Sequence, residues 1–422
     1  MQTLPTLGAP VVFPDPAAGV AEVLARVASG HQQATSAINL VPSENRMSPA
    51  AHAMLATDYS NRYHFNTTQT PRQWEFRGGE AVAGVENLGC QAFSDLFGGG
   101  VVNLRPVSGA NAMLIALAGL GGPPGSAVVS LAPACGGHYA TGAMIRRLGY
   151  RWLPVDCTGG HVDDDQLRAA LGQRPTLVYL DLQNSLHVLD VAAVADRVAT
   201  GAGTRLHVDC SHTMGLVLGG AHPNPLDQGA GSAGGSLHKT FPGPHHGVLV
   251  TRDRDTAALL AAAQIDLVSS HHFGAVLAAA VTALEFQVYG RGYAAAVLDN
   301  ARALAAGLAG HGFDVAAGST DTHQVWVRAG DAAGLSDLVA GWGIRVNVQS
   351  GLPGCPGPMW RLGTAEPTLL GATPRDMHTL AGIFADARDG HTVTGRACAD
   401  RLRRAVGGRP WWTAAGAPEA VR

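Results

Sequence analysis

Short, mostly apolar runs punctuate the chain at Val101–Leu104, Ala127–Leu131, Thr176–Leu180, Arg205–Val208 and Gly247–Thr251, each bounded by Gly, Pro or polar residues. Continuous apolar strands alternating with helical stretches predict an α/β fold, with a mostly parallel sheet covered on both faces. The polar residues of interest gather at the downstream ends of these runs, where open α/β sheets bind ligands. Upstream, residues 1–17 read as an arm and residues 18–37 as a helix. An Ala-rich stretch after Arg252 leads into a long helix through SSHHFGAVLAAAVTALEFQVYGRGY. Beyond Arg291 the pattern predicts a small α/β domain, with strands at HQVWVRA and IRVNVQS and helices at DAAGLSDLVAGW and TPRDMHTLAGIFADARDG. The expected division is an arm and helix (1–45), a large ligand-binding domain (46–290) and a small C-terminal domain (291–422).

Composition narrows the function. With 46% hydrophobic and 14% charged residues among 422, the chain can bury a large core. A net charge of −3 gives no basic footprint for nucleic acid or an anionic membrane. No uncharged stretch of membrane-spanning length stands out, and the N-terminus lacks a basic region before an apolar run. Cys90, Cys135, Cys157, Cys210, Cys355 and Cys398 form no C-x-x-C pair, which argues for reduced thiols and against a structural metal. A cytoplasmic enzyme of small-molecule chemistry, without metal, is the expectation.

The chemistry concentrates in HVDCSHTMGLVLGGAHPNPLDQGAGSAGGSLHKTFPGPHH, His207 to His246. One strand delivers Asp209 at its end, and a second, ending near Leu237, delivers His238 and Lys239. A buried lysine amine forms a Schiff base with an aldehyde, and a carboxylate facing a pyridine nitrogen keeps it protonated. This pairing predicts pyridoxal 5'-phosphate as cofactor. VDCSHTMGLVLGG, HPNP and LHKTFPGPHHG, in this order, closely resemble the serine hydroxymethyltransferase family of fold-type I pyridoxal-phosphate enzymes. That resemblance implies Lys239 as the Schiff-base lysine, Asp209 on the pyridine nitrogen, and His212 near the phenolic oxygen or substrate carboxylate.

Further words follow the family order. VVNLRPVSGANAMLIALAGL is a strand, a Ser-Gly turn and a helix, so Ser108, Gly109 and Ala110 are the expected phosphate cradle at a helix N-terminus. The resemblance places His138 of GGH stacked on the cofactor ring. It also puts Gln183 where the family has a serine or threonine beside the phenolic oxygen, and a glutamine amide can donate the same bond. INLVPSENRMS implies Ser43 at the substrate carboxylate, and NRY implies Tyr63 reaching a neighbouring subunit's site in a homodimer with shared active sites. A helix cap for Ser43 and an ordinary half-buried aromatic for Tyr63 are the plainer alternatives. Ser270 and His271 stand where the family offers Gly-Gly to the partner's phosphate. Arg361 in WRLGTAEPT matches the family's Arg-x-Gly-Thr and suits bidentate pairing with an α-carboxylate; the alternative is a structural ion pair.

The chain also departs from the family. Phe65 stands where the family carries a glutamate that serves one-carbon transfer, Phe76-Arg77 replaces an aromatic pair before Gly78-Gly79, and His245 replaces an arginine. These changes argue against folate-dependent hydroxymethyl transfer. A retro-aldol or transaldol reaction on threonine or serine needs a base for the β-hydroxyl, which Phe65 is not, though His64 or His138 can substitute. Loss of a β-leaving group or of CO₂ needs no such base. Family members of antibiotic pathways, such as those processing S-glycosyl cysteine in lincosamide assembly, resemble this combination. The first expectation is therefore β-elimination or decarboxylation of an S-substituted cysteine. Threonine or serine aldolase or transaldolase comes second, then hydroxymethyltransferase, with a non-catalytic cofactor-binding scaffold last.

Overall fold

The computed structural model describes residues 16–64, 76–80, 82–201 and 203–412. Phe65 and the C-terminal residues 413–422 lie outside the described residues.

Seven strands form the main sheet: β1 (Val101–Asn103), β2 (Ala127–Leu131), β3 (Arg151–Val155), β4 (Leu177–Asp181), β5 (Arg205–Asp209), β6 (Ser232–Ser236) and β7 (Gly247–Thr251). Their spatial order is β1-β7-β6-β5-β4-β2-β3. Only β7 runs against its neighbours, pairing antiparallel with β1 and β6 while the other pairs are parallel. β3 escaped the sequence pattern because Pro154 interrupts it; a proline is tolerated there since β3 is an edge strand, hydrogen-bonded among the described residues to β2 alone. The strand expected to end near Leu237 ends at Ser236, which leaves His238 and Lys239 in the loop beyond it.

Two helices matter most for the site. α1 (Gly109–Leu120) follows β1 and is capped by Ser108. α2 (Phe273–Gly310) is long and apolar enough by length and composition to cross a membrane, contrary to the sequence expectation that no such stretch stands out. In its most apolar window 72% is buried inside the protein, the pattern of a core helix. Its side chains from Phe273 to Leu298 pack into the core of the main sheet. From Ala301 to Leu308 they join a second core built around Trp360, Phe384 and Ile344.

That second core covers an antiparallel sheet of β8 (Asp314–Val315), β9 (Gln324–Arg328), β10 (Asn347–Gln349) and β11 (Met359–Gly363), in the order β8-β9-β11-β10. The single strand expected at IRVNVQS is split. Ile344–Arg345 pairs in parallel with Ile38–Asn39, and only Asn347–Gln349 joins β11. A contact three hundred residues away in sequence thus claims half of the run. It also ties the turn at Val41–Glu44 to β11, through Gly363 N–H donating to Leu40 O at 2.7 Å.

Candidate active site

Parallel strands place their C-terminal ends side by side, and the register aligns Asp181 of β4, Asp209 of β5 and Gly234 of β6. Asp209 is fixed there by two hydrogen bonds: Tyr179 Oη donates to Oδ2 at 2.8 Å and Ser211 N–H to Oδ1 at 2.7 Å. Ser211 Oγ accepts in turn from Ser236 N–H at 2.9 Å. Gly235 has φ of +133°, and a Cβ there would stand 2.6 Å from Asp209 Oδ1, so both conformation and space require glycine.

Lys239 follows on a loop closed by Leu237 N–H donating to His246 O at 3.0 Å and Gly243 N–H to Leu237 O at 2.7 Å. Its own carbonyl accepts from Asn45 Nδ2 at 2.6 Å. Lys239 is the only lysine in the sequence, so it carries the chain's only side-chain amine. Burial brings that amine down to about 8, with Asp209 opposing the shift and Arg361 adding to it.

One pocket gathers Gly109, Ala110, His138, Asp181, Gln183, Asp209, Ser211, His212, Ser236 and Lys239. Ser108 is not among them: its Oγ accepts from Asn111 N–H at 3.1 Å as the cap of α1. The cradle therefore consists of the free N–H groups of the first helical turn. A Cβ at Gly109 would overlap Ser236 Oγ, so glycine is needed for this close approach. The loops after β2 and β4 are tied by Gln183 N–H donating to Gly136 O at 2.9 Å, which brings His138 and Gln183 to the same rim. Burial lowers His138 from its ordinary value and keeps it neutral at pH 7.

Arg361 of β11, 3% exposed, does not line this pocket itself but lies directly behind two residues that do, Gln183 and His212. Its Nε donates to Gln324 Oε1 at 3.0 Å, and its Nη2 donates to Gln183 O at 3.0 Å and approaches His212 Nε2 at 3.4 Å. No carboxylate lies within ion-pair distance of it among the described residues, and burial alone brings its guanidinium down to about 10. The structural ion pair considered for it is therefore absent among those residues. His212 is buried, stacked on His323 with centroids 5.6 Å apart, and held far below its ordinary value by burial and then by Lys239 and Arg361. His212 Nδ1 and His238 Nδ1 have no hydrogen-bond partner among the described residues. His238 stacks on His245 at 4.2 Å and is pushed down to about 3 by burial.

The remaining expected residues sit elsewhere. Ser43 lies on the turn packed against β11, where His323 Nε2 donates to Pro42 O at 3.1 Å. The plainer reading of Ser43 as a cap fails, because Ser48 caps Pro49–Leu55. Tyr63, Ser270 and His271 do not reach Lys239's pocket. They line a separate open depression of about 670 Å³ with Arg62, Val107 and His245. His64 is also outside the pocket, stacked on Phe273 at 4.0 Å beside Glu86. Sequence reading missed Tyr179, Asp181, Ser211, Ser236 and Gln324. Only Ser211 left a signal, since Asp-x-Ser at a strand end is a side-chain turn motif.

A family model described as serine hydroxymethyltransferase matches residues 18–340. The chain belongs to the serine hydroxymethyltransferase family. Within it, the chain is 50% identical over 379 residues to an L-threonine:uridine-5'-aldehyde transaldolase of a Streptomyces species, covering 87% of this chain and 92% of the relative. It matches a protein of the same name from an Amycolatopsis species at the same identity and coverage. A serine hydroxymethyltransferase of Pyrobaculum calidifontis is 34% identical over 371 residues, covering 82% of this chain and 84% of that protein. The crystal structure of an L-threonine transaldolase from Pseudomonas fluorescens in its internal aldimine state superposes with a TM-score of 0.85. It covers 96% of both chains at 24% identity, so it speaks for the fold.

The cofactor of this serine hydroxymethyltransferase-family enzyme is pyridoxal 5'-phosphate. The pocket's own residues fit it: one buried amine, a carboxylate fixed at a strand end, a helix N-terminus that only glycine allows to close in, and the His212 Nδ1, which has no partner among the described residues. The transaldolases among these relatives support the second-ranked expectation, and none of the relatives named above supports the first, processing of an S-substituted cysteine.

Proposed function

We propose that this enzyme is an L-threonine transaldolase: it releases acetaldehyde from L-threonine and joins the remaining glycine unit to a second aldehyde of the nucleoside type, giving a new β-hydroxy-α-amino acid. The observation that carries this reading is half identity, across nine-tenths of their length, to proteins named for that reaction with uridine-5'-aldehyde. When bound, pyridoxal 5'-phosphate supplies the electron sink that makes cleavage at the amino acid's Cα feasible.

The chain's residues then have distinct tasks. Lys239, with its amine near 8, has a neutral fraction at physiological pH able to attach to the cofactor's aldehyde. Asp209, held on both oxygens, is assigned to the ring nitrogen. Gly109 and Ala110 are assigned to the phosphate, and Gln183, His212 and His238 to the cofactor's polar groups. Arg361 is assigned to the substrate α-carboxylate, the anion it lacks within the described chain. Of the two histidines that can accept the β-hydroxyl proton, His138 lines the pocket and is neutral, so the task falls to it rather than to His64. Its Nδ1 accepts from Ala140 N–H at 3.3 Å, a long bond to give up on protonation.

A homodimer completes the proposal. The helix Pro16–Ser36 buries no residue, and Val20, Val23, Leu24 and Val27, spaced for one face, are 56–63% exposed. A second copy is assigned to cover this stripe, and Tyr63, Ser270 and His271, which line an open depression, are assigned to contact a neighbour's site. Leu24→Glu should shift the mass in light scattering from dimer to monomer; a wild type that is monomeric at assay concentration would end this part.

The direct test incubates the holoenzyme with L-threonine and uridine-5'-aldehyde, without folate, and follows acetaldehyde and product mass. Acetaldehyde release that rises with the second aldehyde, together with a product carrying the glycine unit, is expected. Release of a thiol or CO₂ from S-substituted cysteines, with no acetaldehyde from threonine, would restore the elimination reading.

A further inference from the structure

Gln324 is a polar amide at the start of β9, where Val325, Trp326 and Val327 follow it, and is 2% exposed. Each of its hydrogen-bonding groups is used. Oε1 accepts from Arg361 Nε at 3.0 Å and from Trp326 Nε1 at 3.1 Å, while Nε2 donates to Gln183 O at 2.9 Å. That same carbonyl accepts from Arg361 Nη2. The arrangement follows from strand geometry: β9 and β11 set Trp326 directly opposite Arg361, and Gln324, two residues earlier, shares their face. The Nε–Nη2 edge of Arg361 is thereby occupied by neutral oxygens, and Nη1 makes no hydrogen bond to a described residue.

We infer that Gln324 is a positioning residue for substrate recognition, a neutral clamp that fixes the side edge of Arg361 without cancelling its charge and leaves the guanidinium's end to receive the amino acid's carboxylate. The choice of amide over acid is the core of the inference. A carboxylate at this position would still accept from Arg361 Nε, but it would also form the ion pair meant for the substrate and would lose the donor that Gln324 Nε2 offers to Gln183 O. An apolar residue would leave Trp326 Nε1 and Arg361 Nε without an acceptor. The inference rests on the assignment of Arg361 to the α-carboxylate, and not on which aldehyde the enzyme accepts.

The test therefore uses binding rather than turnover. Holoenzyme variants Gln324→Met, Gln324→Glu and Arg361→Ala are titrated with glycine and with 1-amino-2-propanol, which has threonine's amine and hydroxyl but no carboxylate, and the cofactor's absorbance is recorded. Gln324→Met should weaken glycine at least about tenfold, as loss of a charge-assisted bond implies. Gln324→Glu, the same shape with a negative charge, should weaken it at least as much, and 1-amino-2-propanol should bind all the variants as it binds the wild type. Unchanged glycine affinity in Gln324→Glu, or equal weakening of glycine and the amino alcohol, overturns the clamp. Should Gln324→Met lose the cofactor, the isosteric Gln324→Glu decides alone. An Arg361→Ala variant that binds glycine normally removes the assignment beneath the clamp, and the clamp with it. A loss in Arg361→Ala with none at Gln324 overturns the clamp only.

Discussion

Two buried clusters in this molecule are built from the same residue types and arranged in opposite ways. Around Glu86, Arg105 donates from Nε and Nη2 at 2.9 and 3.2 Å, a bidentate pair, with His64 3.9 Å away and His271 alongside. Burial pushes the Glu86 carboxyl upward, but the bond to Arg105 and its charge more than offset this, and the carboxyl stays below its ordinary value. Around Lys239, by contrast, Arg361 meets only an amide oxygen, a carbonyl and a histidine. A closed ion pair is a finished structure, whereas a buried cation held by neutral acceptors is one anion short. The contrast predicts that damage to the first cluster costs stability and damage to the second costs function.

The largest effect should come from Lys239→Ala. Because the sequence contains no other lysine, no neighbouring amine can substitute, and turnover should fall to background with the cofactor's bound absorption lost. Borohydride treatment of wild-type holoenzyme followed by peptide mapping should mark the single peptide containing Lys239. A label elsewhere, or a Lys239→Ala enzyme with near-native turnover, would place the chemistry outside this pocket.

Glu86→Gln inverts the experiment. Removing the charge leaves Arg105 largely buried without its partner, and breaking such a pair costs on the order of 3 kcal/mol. Urea midpoints should drop accordingly, while the rate per folded molecule, read as kcat with threonine, stays close to wild type. If instead kcat collapses while the urea midpoint holds, the Glu86 cluster belongs to the reaction and the division drawn here is wrong.

These two regions were unequally legible in the sequence. Asp209 stands at the end of an apolar run and Lys239 in the loop just beyond Ser236, and their spacing and neighbouring words identify the chemistry. Tyr179 and Asp181 lie inside one such run, TLVYLDLQ, and nothing local shows which alternate side chains meet Asp209 rather than the far face. That depends on the register of β4 against β5. Gln324 acquires meaning only when β9 is laid against β11, some forty residues on. The reversed direction of β7 and the split of IRVNVQS likewise follow from pairings between distant segments. The choice of reaction was less legible still. It hinged on Phe65, and one residue type at one position does not separate elimination from aldol cleavage when His138 can take the proton.

Asp181 offers the finest test of the contrast, because it is an acid in the open cluster with no cation of its own. It is 3% exposed, its Oδ2 accepts from Thr141 Oγ1, and its Oδ1 has no partner among the described residues. Burial holds its carboxyl well above the ordinary range, and the nearby charge of Asp209 adds to that, against the bond from Thr141. The folded state therefore keeps a proton that the unfolded chain releases near the ordinary aspartate value of about 3.9. Stability rises with pH only where the unfolded state binds more protons; here the folded state does, so Asp181's contribution is whole below that value and declines as pH rises toward the folded-state pKa. The slope is at most about 1.4 kcal/mol per pH unit. Asp181→Asn keeps an acceptor for Thr141 and cannot ionise, so it should remove this decline. Urea midpoints of the two holoenzymes, measured from pH 5 to pH 8, should diverge with the variant gaining as pH rises. The groups facing Asp181, namely Asp209, Tyr179 and His138, are the same in both proteins, so their own contributions largely cancel in the difference. A difference that stays constant across the range would mean that Asp181 is ionised in the folded enzyme, with its charge met by something this pocket's residues do not supply.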